Sequence, residues 1–246
     1  MSRVALITGA GSGLGRAGAL AFAAAGTAVV VADRDGAKAR SVAFEIEEAG
    51  GRAVAFDGDV ADATAAEAMV ALARSYFGGL DCAYNCAGTT PLDKQPLTEL
   101  DEPTWDLVMD TNLKGIWLSM KYEIPAIAER GGGCVVNVAS AAAFMVTPTN
   151  GVYHASKAGV VMLTRVAAQE NAVRKVRVNA IAPTAVMTPM IEAVLARTPP
   201  GYTPLTTPLG RLPTAEDIAG VALWFCSDAA AIVTGKTLVV DGGTLA

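Results

Sequence analysis

Tyr153-His154-Ala155-Ser156-Lys157 sets a phenol and an ammonium four residues apart in a segment that reads as helix, a spacing that brings both side chains to one helix face. A nearby ammonium favours the phenolate, drawing a tyrosine pKa down from about 10 toward the range where proton transfer works near neutral pH. By itself such a pair is usually a plain solvated helix face, so its meaning depends on what the chain sets around it. His154, the only histidine, invites a second catalytic reading. As the direct neighbour of Tyr153 it points about 100 degrees away round the helix, and it reads as structural.

Thr8-Gly9-Ala10-Gly11-Ser12-Gly13-Leu14-Gly15 follows the apolar run Val4-Ala5-Leu6-Ile7 and precedes an Ala-rich segment that suits a helix. Strand, glycine loop and helix in that order seat a pyrophosphate on a helix N-terminus. The literal G-x-G-x-x-G match, Gly13 to Gly18, starts too late after the strand, and the working pattern is T-G-x-x-x-G-x-G. The next β-rich run, Thr27-Ala28-Val29-Val30-Val31-Ala32, ends in Asp33, 18 residues past Gly15. A carboxylate there accepts from both hydroxyls of an adenosine ribose and repels a 2′-phosphate, which argues for NAD over NADP. Arg34 beside it argues the other way, since a guanidinium pairs with a 2′-phosphate or stacks on adenine.

Further spaced elements complete the pattern: Asp59-Val60, Asn85-Cys86-Ala87-Gly88, Asn112, and Ser140 ahead of Tyr153 and Lys157. From Arg3 to the C-terminus the chain resembles the short-chain dehydrogenase/reductase family. The resemblance implies a catalytic set of Asn112, Ser140, Tyr153 and Lys157. It implies a cofactor site made of Gly9, Ser12, Gly13, Leu14, Gly15, Asp33, Arg34, Asp59, Val60, Asn85, Ala87, Gly88, Tyr153, Lys157, Pro183, Val186 and Thr188. In that scheme Tyr153 carries the hydroxyl proton, Lys157 holds the ribose hydroxyls, Ser140 binds the substrate oxygen, and the Asn112 amide holds a water that links Lys157 to solvent. Two departures stand out. Pro183-Thr184 replaces the usual Pro-Gly after the sixth strand, and Ala172-Val173-Arg174-Lys175-Val176 lacks the glycine that commonly ends the catalytic helix.

Strand-like runs at about 3–8, 27–32, 52–56, 80–84, 133–138, 175–181 and 236–240 alternate with helical stretches. Such alternation predicts right-handed crossovers and a parallel sheet, an α/β doubly wound (Rossmann) domain of seven strands flanked by helices. The strand order 3-2-1-4-5-6-7 is implied by the resemblance alone. We read residues 1–246 as one domain, a size that α/β units fill as a single core. Between 184 and 213 the prolines 189, 199, 200, 204, 208 and 213 rule out a continuous helix or central strand, and a long loop there suits a substrate lid.

The formal net charge of −5, with no basic cluster, argues against nucleic acid, which needs a cationic footprint. The densest basic stretch, Arg174-Lys175-Val176-Arg177, reads as solvated charge at a helix end. Cys82, Cys86, Cys134 and Cys226 show no metal-ligand spacing and read as small buried hydrophobes in a reducing cytoplasm. The apolar stretch 17–32 follows a glycine loop and is interrupted by Gly18, Gly26 and Thr27, so it reads neither as a signal peptide nor as a membrane span. Trp105, Val108, Trp117, Val161 and Met162 would leave unusual apolar surface on a monomer, and with the resemblance they imply a homotetramer.

The expected substrate is a neutral, largely apolar secondary alcohol or ketone, because Phe144, Met145, Val146, Val186, Met187, Met190, Ile191, Leu195 and Tyr202 flank the site, with Arg197 the one cation of the lid. Three readings follow: an NAD-dependent alcohol–ketone oxidoreductase; a sensor or scaffold that binds NAD(P) without catalysis; and a hydrolase or dehydratase, for which no second His/Asp constellation is visible.

Overall fold

Val4–Thr8 (β1) is buried at all five positions, the mark of a strand covered on both faces and not of one that turns alternate residues to water. The computed structural model describes residues 3–197 and 206–246. Six more strands follow β1: Ala28–Asp33 (β2), Ala53–Asp57 (β3), Cys82–Asn85 (β4), Gly133–Val138 (β5), Val176–Pro183 (β6) and Thr237–Val240 (β7). All pair in parallel in the order β3-β2-β1-β4-β5-β6-β7. The chain therefore reverses direction across the sheet between β1 and β4, and the crevice beyond their C-terminal ends is where such sheets bind ligands.

Helices Gly13–Ala24 (α1), Gly36–Glu48 (α2), Ala63–Phe77 (α3), Glu102–Met109 (α4), Gly115–Glu129 (α5), Gly151–Asn171 (α6), Pro189–Leu195 (α7) and Ala215–Cys226 (α8) supply the crossovers. Each face of the sheet has its own apolar core. Phe22, Val42, Ile46, Ile218 and Phe225 from α1, α2 and α8 fill one; Met69, Val70, Ile124, Ile127 and Val160 from α3, α5 and α6 fill the other. Burying a side chain the size of Phe22 stabilises by about 1.5–3 kcal/mol, so these two layers fix the sheet that carries the crevice.

Three local features refine the sequence expectations. Lys175 takes the left-handed conformation (φ 59°) that the missing glycine would otherwise occupy, after a short turn over Ala172–Arg174. Arg177 is not solvated: it lies in β6, half-buried, with its guanidinium donating to the carbonyls of Val233 and Ser227. Val108 is buried, unlike Trp105, Trp117 and Met162, which are exposed as expected. Of the expected lid, Pro199, Pro200, Tyr202 and Pro204 lie outside the described residues. Among the described residues no helix is long and apolar enough to cross a membrane, and no cluster of three or more acidic, thiol or histidine side chains is arranged to hold a metal ion.

Candidate active site

The loop from β1 to α1 is shaped by close backbone approaches. At Gly9 (φ 63°) a Cβ would stand 2.8 Å from the Ala87 backbone, and at Gly15 it would stand 2.2 Å from the Gly9 carbonyl oxygen. Any side chain at either position would force the loop apart. Ser12 caps α1 in an extended conformation with no side-chain bond, leaving the first-turn N–H groups to an anion. At the next strand end, Asp33 accepts from Gly11 N at 2.8 Å and from Asp35 N at 2.9 Å, which fixes its carboxylate at the crevice.

One cleft of about 590 Å³ runs from this carboxylate to Tyr153. Gly9, Ser12, Gly13, Leu14, Gly15, Asp33, Arg34, Asp59, Val60, Ala87, Gly88, Pro183, Val186 and Thr188 line it, as do Ser140, Tyr153 and Lys157. A glycine cradle that a Cβ would fill, a helix N-terminus and an anchored carboxylate at the far end fit a dinucleotide. Asn85 does not belong to this lining. It is fully buried, and its amide donates to Glu123 Oε2 and Asn137 Oδ1, both at 3.0 Å, so the strand end points it into the core and not at a ligand.

At the catalytic end, Ser140 follows β5 and caps a short turn, accepting from Ala142 N at 3.2 Å. It lines the cleft together with Tyr153. Burial pushes the Tyr153 phenol up, and the neighbouring Ser140 hydroxyl opposes that shift. Lys157 was expected to lower this pKa through its charge, but its Nζ donates to Val138 O at 2.9 Å and lies over the tyrosine ring, 5.8 Å from the centroid, so it addresses the ring and not the hydroxyl. Burial lowers Lys157 itself to about 8. Both groups are thus biased toward their neutral forms.

Asn112 sits in a π-turn over Asp110–Lys114 between α4 and α5. Its amide donates to Thr89 O at 2.9 Å and to Ser156 Oγ at 3.1 Å, while its Oδ1 accepts from Thr89 N at 2.7 Å. Both amide hydrogens are engaged, so the side chain ties the Thr89 loop to α6 and has no hydrogen left to offer a water. It does not line the cleft, although Gly88 brings it near: a Cβ on Gly88 would lie 3.3 Å from Asn112 Oδ1 and 3.6 Å from Lys157 Nζ.

The wall beyond Tyr153 is apolar where Met145, Val186, Met190, Ile191 and Leu195 meet the cleft. Phe144, Val146 and Met187 are exposed and do not line it. Arg197 pairs with Asp93 at 2.8 Å on the surface. Sequence reasoning missed Lys94 at the mouth, and it missed Thr147 and Asn150 on the wall. Asn150 stands one helical turn before Tyr153, the one signal that could have found it.

The family model described as enoyl-(acyl carrier protein) reductase matches residues 9–244. The chain belongs to the short-chain dehydrogenase/reductase family. This family member is 40% identical over 245 residues to a cyclohexanol dehydrogenase of Acinetobacter sp. (strain SE19), covering 98% of this chain and 94% of the relative. It is 38% identical over 242 residues to a cis-4-hydroxycyclohexanecarboxylate dehydrogenase of Sinomonas cyclohexanicum, covering 98% and 96%. Among solved structures it is similar to a short-chain type dehydrogenase/reductase from Mycobacterium marinum, with a TM-score of 0.92, 33% identity, and 99% and 95% of the two chains covered.

Proposed function

We propose that this protein interconverts a neutral cyclic secondary alcohol and its ketone, with NAD as the hydride carrier. The observation that carries the reading is the meeting of Ser140, Tyr153 and Lys157 at one end of a cleft whose other end is Asp33. Bound NAD supplies the carbon that takes the hydride. The protein supplies position and a route for the hydroxyl proton. Ser140 holds the substrate oxygen next to Tyr153, Tyr153 takes the proton during oxidation and returns it during reduction, and Lys157 holds the ribose hydroxyls below. Asp33 accepts the adenosine ribose hydroxyls and disfavours a 2′-phosphate. A scaffold that only bound the dinucleotide would need no paired hydroxyls and buried ammonium at the reacting end.

Neutral substrates follow from the wall. Arg197 is paired with Asp93, Lys157 donates to Val138 O beneath Tyr153, and the wall residues Met145, Val186, Met190, Ile191 and Leu195 offer no cation to an anionic group, whose unpaired burial costs several kcal/mol. The segment from Thr184 through α7 serves as the lid. The four free thiols suit the cytoplasm, and the exposed Trp105, Trp117 and Met162 suit a homotetramer.

The test is kcat/KM with NAD for cyclohexanol against cis-4-hydroxycyclohexanecarboxylate, two substrates named by the relatives. The expected preference for cyclohexanol is about tenfold or more. A preference for the carboxylate that Lys94→Ala abolishes would overturn the neutral-substrate reading.

A further inference from the structure

We infer that His154 is a positioning residue that holds the substrate-facing wall, residues 142–150, in place through one neutral tautomer. The inference rests on the reading of the cleft beyond Tyr153 as the substrate site.

His154 shares α6 with Tyr153 but does not line the cleft. Its ring turns to the loop instead. Nδ1 lies 2.6 Å from the Ala142 carbonyl oxygen, and Nε2 accepts from the Thr147 backbone N–H at 3.2 Å. The two partners dictate the proton's place. A carbonyl only accepts, so Nδ1 carries the hydrogen; a backbone N–H only donates, so Nε2 is bare. A single imidazole thereby ties residues 142 and 147 to the helix that bears Tyr153, and residues 148–150 run from the second contact straight into that helix.

What it ties is strained and faces the cleft. Thr149, a β-branched residue, is held at φ 66°, a conformation that persists only where the surroundings hold it. Met145, Thr147 and Asn150 of this segment line the cleft, and the Asn150 side-chain oxygen is buried without a partner in the protein. Loosening the clamp would move the wall that seats the alcohol. It would leave Ser140, Tyr153 and the glycine cradle where they are, since Ser140 follows directly on Ala139, whose N–H donates to Ile181 O at 2.8 Å and ties that strand end to β6 ahead of the clamped stretch. The effect therefore falls on substrate binding and not on the chemical step or on NAD.

The chain has one histidine, so the imidazole nitrogens of ¹⁵N-labelled, full-length protein with NAD bound report on His154 alone. The expected spectrum has a proton-bearing Nδ1 and a bare Nε2. An Nε2–H tautomer would overturn the proposal, whatever the activity proves to be.

Kinetics give the second arm. His154→Phe keeps the ring and removes both bonds, and it should raise KM for cyclohexanol about tenfold with kcat within about threefold and the NAD Kd unchanged. His154→Gln, whose Oε1 can accept from Thr147 N–H, should bring KM back to within about threefold of wild type. An unchanged KM in His154→Phe, or KM, kcat and NAD Kd worsening together in both variants, would overturn the proposal. If the wild type turns over no alcohol, the proposed function fails, and the tautomer still decides the clamp.

Discussion

Glu123→Gln should flatten the pH dependence of stability, and the size of the effect follows from the site. Glu123 lies on α5 with no exposed surface; its Oε2 accepts from Asn85 and its Oε1 has no partner. Beyond it, Asn85 donates to Asn137, which donates to Thr164 Oγ1 at 3.0 Å, so one buried chain links β4, β5, α5 and α6 beneath the cleft. Burial raises the Glu123 carboxyl from 4.5 to about 8, with the Asn85 bond opposing. The folded protein thus binds this proton more tightly than the unfolded chain does. Its stabilising contribution is complete below about 4.5 and is lost as pH rises through about 8. The slope is about 1.4 kcal/mol per pH unit, and the whole window amounts to at most about 5 kcal/mol. Glutamine keeps the shape and an acceptor without titrating. Urea unfolding of both proteins, at one protein concentration and at about pH 5.5, 7 and 8.5, should show the stability difference moving in favour of Gln by about 3 kcal/mol across the series. Lys157 titrates alike in both proteins and cancels. A difference constant to within about 0.5 kcal/mol would refute the buried neutral acid.

Lys157→Met should weaken NAD about tenfold and lower kcat at least 100-fold, if one side chain both holds the ribose and takes part in the proton's route as proposed; isothermal titration and steady-state rates separate the two losses. Asp33→Ala should weaken NAD and tighten NADP, which paired dissociation constants will show; a wild type that already prefers NADP would contradict the role given to this carboxylate. Light scattering at micromolar concentration should give about four times the 25.1 kDa chain mass, and a monomer's mass would reject the tetramer.

The sheet was legible because a parallel strand covered on both faces is apolar along its length, as β1 is through Ile7 and β2 through Ala32, and because the glycines at 9 and 15 follow such a strand and precede a helix. The C-terminal ends of strands then fix Asp33 and Ser140 at the crevice. Side chains at an element's end are harder. Asn85 stands next to three cleft residues in sequence, yet the strand's alternation turns it into the core, where only the tertiary partners Glu123 and Asn137 reveal its role. Asn112 reads as a poor helix former, but the extra residue of a π-turn, which aims its amide at Thr89, has no sequence period to announce it. Phe144 and Val146 look like pocket residues by type. The turn after Ser140 faces them outward, and turn geometry at that scale is set by the His154 contacts rather than by composition.

The most direct test of the proposed chemistry is the rate of NAD reduction with cyclohexanol, followed by near-ultraviolet absorbance, in wild type and Tyr153→Phe. The variant removes one oxygen. Its rate should fall about 100- to 10,000-fold while the NAD Kd stays within about twofold of wild type. Turnover by Tyr153→Phe at the wild-type rate would contradict the assignment of the proton to Tyr153.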